Sequence, residues 1–332
     1  ILAQALAQMQ VRTSRRAVGL FTVAVMGVVR RSLEKGRQET DKSSSELAFA
    51  SGVACVPHPE KADRKYELQP QNGGEDSFFI DDDAGVVGVA DGVGGWASQG
   101  VDPGIYSRQL MQFAADAVRA GQLDPAQVLQ AAHSKTTARG STTALIVMLD
   151  SAGVAKDALR AANLGDSGFM VIRGNEVRFQ SQPQQHSFNF PFQLAAPGTS
   201  GDLPSDAQVI ELDDVSAGDV VVLGSDGLFD NMFPAEILAE VSIVLADAGS
   251  SLLEPALLAQ RLAEAIARRA SEYANSETRK SPFAQEARKE GRRFRGGKLD
   301  DITVVVSIVT AAQSSKADKL KGPAKMHLRS KL

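Results

Sequence analysis

Short apolar runs separated by turns rich in glycine and aspartate alternate with longer periodic stretches along the middle of the chain. Apolar runs bounded by turn residues are typical of buried β-strands. They predict strands at 78–80, 86–90, 144–149, 220–223 and 302–309. A repeat near 3.6 residues predicts helices at 106–119, 125–134, 234–245 and 252–273. Residues 173–176, between the apolar segments 170–172 and 177–179, predict a β-hairpin.

The order of these elements indicates the fold class. Strands and helices do not alternate strictly, so a doubly wound parallel sheet is disfavoured and an α+β arrangement, with helices covering the sheets, is expected. No long low-complexity linker interrupts residues 46–310. We therefore expect one catalytic domain at 46–310, preceded by a segment at 1–45 and followed by a tail at 311–332.

Composition narrows the chemistry. The chain has 332 residues, a formal net charge of −4 and 43% hydrophobic residues, which is typical of a globular protein and gives no reason to expect nucleic acid as a partner. Its one cysteine, Cys55, excludes an internal disulfide framework and a cysteine-based zinc cage. Since the four histidines are scattered, a bound metal would need mainly oxygen ligands.

Both ends of the chain are basic. Residues 1–33 contain five arginines and no acidic residue, a bias typical of organelle targeting segments. The apolar stretch at 17–29 is too short for a membrane-spanning helix, which needs about 20 residues. A disordered basic segment or a short buried helix is the alternative for this part of 1–45. We expect a mitochondrial location, with the plastid as the alternative, and a solvated basic tail at 311–332.

Acidic residues cluster in short turns at the ends of the apolar runs. An isolated aspartate in such a turn is usually a turn former or a helix cap. Several carboxylates that meet at one edge repel each other and need protons or cations to coexist. Hard divalent ions prefer such oxygen ligands. The turns are those of Glu75 and Asp76, Asp91, Asp166, Asp226, and Asp300 and Asp301.

Six blocks of the sequence, in this order, resemble the metal-dependent protein serine/threonine phosphatases of the protein phosphatase 2C family. The blocks are GGEDSFFI, GVADGVGGW, GSTTALIVMLD, AANLGDSGFMVIRGNEV, DVVVLGSDGLFDNM and GGKLDDITVVVSIV. Three stretches are most similar to an organellar branch, which includes a mitochondrial phosphatase that targets an enzyme of coenzyme Q biosynthesis. They are GVADGVGGWASQGVDP, QQHSFNFPFQL and SPFAQEARKEGRRFRGGKLDD.

This resemblance implies a β-sandwich of two sheets flanked by helices, with a metal cleft at one end. It implies two Mg²⁺ or Mn²⁺ ions and a third, weaker site. It also implies hydrolysis of phosphoserine and phosphothreonine in proteins by a metal-bridging water, without a protein nucleophile. The residues that match the family's metal site are Asp76, Asp91, Asp226 and Asp300, with the carbonyl of Gly92.

Further matches extend the expected site. Glu75 matches a position that contacts metal-bound water, and Asp166 matches the aspartate of the third metal. Asp301 stands where many members have asparagine, and we expect it to support the ligands or to act as a secondary ligand. The expected partner is a phosphoprotein substrate, and the expected state is a monomer.

The sequence departs from the family pattern at three places. Many members have a histidine, proposed as the general acid, where this chain has Val93; His186 is the candidate replacement. Gly168 replaces a common arginine. Relatives often carry a phosphate-binding arginine upstream of the glutamate-aspartate pair. In that region this chain has Lys61, Arg64 and Lys65. None of the three matches the family's arginine cleanly, so the phosphate-binding residue stays unassigned.

Other functions are less well supported. Gly92, Gly94 and Ala97 fit a dinucleotide-binding pattern, but loop residues follow where a helix would have to begin. A phosphate-binding loop at 291–298 has the wrong spacing, and Cys55 lacks the arginine that a cysteine phosphatase requires six positions later. A catalytically inactive phosphatase fold that binds phosphoproteins or a regulatory partner is the alternative, although none of the expected metal carboxylates is missing.

Overall fold

The computed structural model describes residues 46–62, 73–150, 157–196, 198–249 and 253–312. Two antiparallel five-stranded sheets form the centre of the described part. The first sheet contains, in spatial order, β1 (Leu47–Val56), β14 (Ile302–Ala311), β13 (Val220–Gly224), β7 (Gly168–Arg173) and β8 (Glu176–Gln180). The second contains β12 (Gln208–Leu212), β6 (Ala158–Leu164), β5 (Ala144–Asp150), β3 (Val86–Asp91) and β2 (Asp76–Asp81).

Six α-helices and four short strands complete the described elements. The helices are α1 (Pro103–Arg119), α2 (Pro125–Lys135), α3 (Asp226–Phe229), α4 (Pro234–Ala248), α5 (Pro255–Ala274) and α6 (Pro282–Lys289). The short strands are β4 (Ser141–Thr142), β9 (Gln185–Ser187), β10 (Phe190–Pro191) and β11 (Leu194–Ala195), paired as β4 with β11 and β9 with β10. Short 3₁₀ turns lie at Pro59–Lys61, Gly94–Gln99 and Pro204–Asp206.

The apolar side chains separate into three layers. One cluster, which includes Val87, Leu145 and Val305, lies between the two sheets. A second packs α4 and α5 on the outer face of the first sheet, and a third packs α1 and α2 on the outer face of the second. The predicted α+β class, a two-sheet sandwich flanked by helices, is therefore confirmed.

Each predicted strand and helix has a counterpart in the structure, with displaced ends. Proline occupies the first turn of α1, α2, α4, α5 and α6, where its missing N–H costs no hydrogen bond. The helix predicted from residue 252 begins only at Pro255 for this reason. Nine of the described strands and α-helices were not predicted from the pattern: β1, β4, β6, β9, β10, β11, β12, α3 and α6.

The segment at 1–45 and residues 313–332 of the predicted tail lie outside the described residues. The targeting segment, the tail and the boundaries of the catalytic domain therefore stay predictions. No helix among the described residues is long and apolar enough to span a membrane.

Candidate active site

Two of the predicted carboxylates lie opposite each other on neighbouring strands. Asp76 begins β2, Asp91 ends β3, and the antiparallel register pairs these two residues directly. The Ser225 hydroxyl donates a hydrogen bond to Asp76 Oδ2 at 2.7 Å. Thr143 fixes the backbone of Asp91 from β5's side, because its Oγ1 accepts from the Asp91 N–H at 3.0 Å and its own N–H donates to the Asp91 carbonyl at 2.9 Å.

The glycine after Asp91 is required by close backbone packing. The Gly92 N–H donates to the Glu75 carbonyl at 3.2 Å. A Cβ atom at residue 92 would lie 2.7 Å from that same oxygen, which is too close for any side chain. Gly92 therefore allows the turns that carry Glu75 and Asp91 to meet at one edge of the second sheet.

The first sheet contributes the other two predicted metal ligands. Asp226 begins α3 directly after β13, and Asp300 precedes β14, the antiparallel neighbour of β13. The end of one strand and the start of the other therefore lie at the same edge. Together the two sheet edges border one cleft, lined among others by Lys61, Glu75, Asp91, Gly92, Asp166, Asp226, Lys298 and Asp300.

Lys298 places a positive charge among these carboxylates. Its ammonium group contacts Asp226 and lies 2.7 Å from Asp230 and 3.1 Å from Asp300. The Lys298 side chain is only 15% exposed. Asn231 fixes the Lys298 backbone: its Nδ2 donates to the Lys298 carbonyl, and its Oδ1 accepts from the Lys298 N–H, both at 2.9 Å.

Neither Lys298 nor Asp230 was predicted from the sequence as a site residue. Asp230 follows Asp226 by four residues, and the Asp230 N–H donates to the Asp226 carbonyl at 2.7 Å in a helical turn. Spacing of four residues on a helix brings side chains together, so this signal was available in the sequence. The contacts of Lys298 with Asp226 and Asp230 span about seventy residues and had no local signal.

Burial and mutual repulsion make these carboxylates hard to ionise. Burial raises the pKa of Asp76 and Asp91 well above the usual range, and neighbouring carboxylates raise both further. The same two causes raise the pKa of Asp166 and Asp230 to about 7 and that of Asp300 to about 6. Burial alone would lower the pKa of Lys298, but Asp226, Asp230 and Asp300 more than offset it and raise that pKa.

Asp301 has a different environment from Asp300. Its side chain is buried and accepts from the backbone N–H groups of His58 at 2.7 Å and Glu75 at 2.8 Å. Lys61 Nζ lies 2.7 Å from Asp301 Oδ2 and 2.8 Å from Glu75 Oε2. The Asp301 carboxylate thus ties the turn of Glu75 to β14, which fits the predicted supporting role. Its alternative role as a secondary ligand stays a prediction, as do the roles of the other site residues.

Asp166 lies at the rim of the carboxylate cluster. It occupies the loop between β6 and β7, and Gln185 Nε2 donates to its Oδ2 at 2.8 Å. Asp166, Asp226 and Asp230 line one depression, and both of these neighbours raise the pKa of Asp166. Its predicted association with a third metal stays a prediction.

The donor set fits hard divalent cations. It consists of carboxylate oxygens, and Asp226 Oδ1 is buried without a hydrogen-bond partner. Among the described residues, no three His, Cys, Asp or Glu side chains converge closely enough to hold an ion as they stand. The Lys298 ammonium lies between Asp226 and Asp300 and supplies part of the positive charge that these carboxylates need.

Comparison with known proteins identifies the family. No family model matches the chain. The chain is 44% identical to "Probable protein phosphatase 2C 80" of Arabidopsis thaliana over 289 residues, or 85% of this chain and 64% of that protein. It is 41% identical to "Protein phosphatase PTC7 homolog" of Homo sapiens over 252 residues, or 71% of this chain and 79% of that protein. The chain belongs to the protein phosphatase 2C family.

A solved structure of this family has the same fold. The X-ray structure of the photosystem II phosphatase PBCP is 36% identical, covers 80% of this chain and all of that chain, and superposes with a TM-score of 0.68. The chain spans less than two thirds of the length of some protein phosphatase 2C relatives, with 64% and 57% of two Arabidopsis proteins. The predicted family membership is confirmed.

The position that holds a histidine in many protein phosphatase 2C members is Val93 here, and His186 does not line the carboxylate cleft. His186 Nε2 lies 3.0 Å from Asp202 Oδ1, and its ring stacks on Phe192 at 3.9 Å between centroids. These contacts favour a structural role for His186, and its role as general acid stays a prediction.

Proposed function

We propose that this chain hydrolyses phosphoserine and phosphothreonine in proteins with the help of divalent metal ions. One observation carries the proposal: Asp91, Asp226 and Asp300, which come from three separate turns, line a single cleft. The buried Asp76 lies directly opposite Asp91 on the neighbouring strand. The chain belongs to the protein phosphatase 2C family, which supports the same function. Each carboxylate that the family pattern expects at the metal site is present in the sequence.

Asp76, Asp91, Asp226 and Asp300 would hold two Mg²⁺ or Mn²⁺ ions, and Gly92 would add its carbonyl oxygen. Such ions make water a nucleophile at neutral pH and neutralise charge on a phosphoryl group. The Glu75 carboxylate, held by Lys61, would accept a hydrogen bond from water in the cleft. Val93 offers no proton to the leaving oxygen, so water or another cleft residue supplies it.

Lys298 would neutralise part of the negative charge of the cleft in the absence of metal. Its ammonium holds Asp226, Asp230 and Asp300 together before metal binds, because their repulsion would otherwise open the cleft. It also leaves one positive charge near the bound phosphate. Lys61, which lines the same cleft, is the second candidate for phosphate binding.

The test is phosphate release from a phosphothreonine peptide with Mn²⁺, with Mg²⁺ and with EDTA. We expect release with either ion, none with EDTA, and a loss of at least about 100-fold in Asp226→Asn. A folded chain that releases no phosphate with either ion would favour the inactive phosphoprotein-binding module instead.

We also propose that the protein works in an organelle, the mitochondrion first and the plastid as the alternative. The arginine-rich, acid-free segment at 1–33 supports this location. A fluorescent tag after residue 332 tests it when the chain is compared with a version that starts at residue 46. Organelle signal from the longer version alone is expected, whereas diffuse cytosolic signal from both would contradict the proposal.

A further inference from the structure

A basic surface covers one side of α6 and the loop that follows it. Residues 280–295 contain six basic and two acidic residues, although the whole chain has a net charge of −4. They border a groove of about 520 Å³, together with the partly exposed ring of Phe294. The exposed basic side chains of this basic groove are Lys280, Arg288, Arg292, Arg293 and Arg295.

Most of these basic side chains form no ion pair among the described residues. Arg279, at the inner end of the groove, pairs with Glu236 and stacks on Tyr273, and Lys289 pairs with Glu286. In the described part of the chain, no carboxylate lies within salt-bridge distance of Arg288, Arg293 or Arg295. Their guanidinium groups are therefore available to an anionic partner.

The loop that carries the groove is fastened at its base. The Gly296 N–H donates to the Arg279 carbonyl at 3.0 Å, and the Gly297 N–H donates to the Ser276 carbonyl at 2.7 Å. The Ser281 hydroxyl donates to the Gly296 carbonyl at 2.7 Å. A loop held in this way presents its arginines with little ordering cost on binding.

An aromatic wall connects the basic groove to the carboxylate cleft. The Phe283 ring lies 5.1 Å from Lys298 Nζ and 4.7 Å from the Phe294 ring. Phe188 packs on Phe283 at 5.1 Å, and both rings line a depression that also contains Asp166 and Asp226. A peptide whose phosphorylated residue enters the cleft can therefore continue across these rings into the groove.

We propose that the basic groove binds acidic side chains that flank the phosphorylated residue of the protein substrate. This inference rests on the proposed phosphatase function and adds a substrate class to it. Arginine binds carboxylates through two parallel hydrogen bonds, which suits Asp and Glu side chains. Glu286 and Glu290 line the depression that the peptide crosses, so acidic side chains are repelled there and are favoured only where the peptide reaches the arginines of the groove.

Two phosphothreonine peptides test the proposal, one with three acidic residues beside the phosphothreonine and one with serine at those positions. We expect the full chain to prefer the acidic peptide about tenfold in kcat/KM at low salt, as three partly screened ion pairs would give. The triple variant Arg288→Gln, Arg293→Gln, Arg295→Gln should lose this preference and keep its rate on p-nitrophenyl phosphate. The triple variant Arg119→Gln, Arg178→Gln, Arg261→Gln is the matched control.

A second readout separates the groove from catalysis. Fluorescence anisotropy of the acidic peptide without phosphate should show binding to the wild-type chain and to the control, and about tenfold weaker binding to the groove variant. The proposal is wrong if the groove variant keeps both the preference for the acidic peptide and the binding of that peptide. Binding to anionic vesicles and to RNA is measured in parallel, and a variant that loses only one of these would also contradict the proposal. Failure on p-nitrophenyl phosphate with Mn²⁺ would reject the phosphatase function, while anisotropy would still decide the groove.

Discussion

Two lysines balance the charge of the candidate active site at the scale of single residues. Lys298 contacts three carboxylates, two of which, Asp226 and Asp300, line the cleft. Lys61 bridges Glu75 and Asp301. Removing one partner of a buried charge group leaves the others uncompensated, which costs more than the pair itself contributes. The two lysines should therefore control both the stability of the metal-free protein and its affinity for cations.

Lys298→Met should destabilise the metal-free protein by about 2 kcal/mol near neutral pH, because Asp226, Asp230 and Asp300 then repel each other without a counter-charge. The same change should increase the affinity for Mn²⁺, because an ammonium group no longer repels the ion. Urea unfolding with EDTA and calorimetric Mn²⁺ titration measure the two effects. Lys289→Met, which removes an exposed lysine on α6, is the control. Unchanged stability and unchanged Mn²⁺ affinity would contradict the role of Lys298.

Asp301→Asn should destabilise the protein by about 3 kcal/mol, although many relatives have asparagine at this position. In this chain the carboxylate accepts from two backbone N–H groups and Lys61, and an amide NH₂ would face one of these donors. Urea unfolding beside Asp83→Asn, an exposed loop control, measures the difference. Equal midpoints for the two variants would show that the ion pair with Lys61 contributes little.

The sequence pointed to candidate site residues where local motifs carry them, and their roles as ligands stay predictions. Asp76, Asp91, Asp226 and Asp300 each follow or precede an apolar run, and these strand ends meet at the cleft. Lys298 could not be found in this way, because its contacts join residues about seventy positions apart. The same holds for the pairing of Lys61 with Asp301, which spans 240 positions.

At the scale of elements, the connection between α5 and β14 positions Lys298. A Cβ atom at Gly297 would lie 2.1 Å from the Tyr273 carbonyl oxygen and 2.6 Å from Ala274 Cα. Gly297→Ala should therefore displace the loop from the end of α5 and cost about 2 kcal/mol. Thermal unfolding beside Gly95→Ala, where a Cβ atom meets nothing within 4 Å, tests this. If Gly297→Ala unfolds at the temperature of Gly95→Ala, the loop is not held as described.

The apolar pattern predicted elements well where they are long or strongly apolar. The sequence pattern missed β12 because its residues are half-buried or exposed at a sheet edge, and it missed β1 because its burial does not alternate strictly. It missed α6 because seven of its eight residues are not fully buried. The stacking of helices on the two sheets follows from which faces of these elements are apolar. The basic groove depends on the loop after α6, and a loop has no hydrophobic periodicity from which it could be predicted.

At the scale of the whole molecule, stability without metal should depend on pH. The pKa values of Asp166, Asp230 and Asp300 are raised to about 7, 7 and 6, so the folded protein binds protons that the unfolded chain releases. The stability that these protons contribute is complete below the unfolded pKa of about 4 and is lost as the pH rises through 6 to 7.

Thermal unfolding in EDTA should therefore show a lower Tm at about pH 8 than at about pH 5. Mn²⁺ should raise the Tm more at the higher pH, because it binds the deprotonated carboxylates. Asp230→Asn, which removes one of the titrating groups, should reduce the pH dependence. A metal-free Tm that is equal at the two pH values would mean that these carboxylates are not coupled as the structure indicates.

The most direct test of the central claim is the initial rate of phosphate release from a phosphothreonine peptide as a function of free Mn²⁺, for the wild type and for Asp226→Asn in parallel. We expect the rate of the wild type to rise with Mn²⁺ and to saturate. For the variant we expect the rise at higher Mn²⁺ and a maximal rate at least about 100-fold lower. Identical curves for the two proteins, or a wild-type rate independent of Mn²⁺, would contradict the assignment of the carboxylate cleft as a metal-dependent phosphatase site.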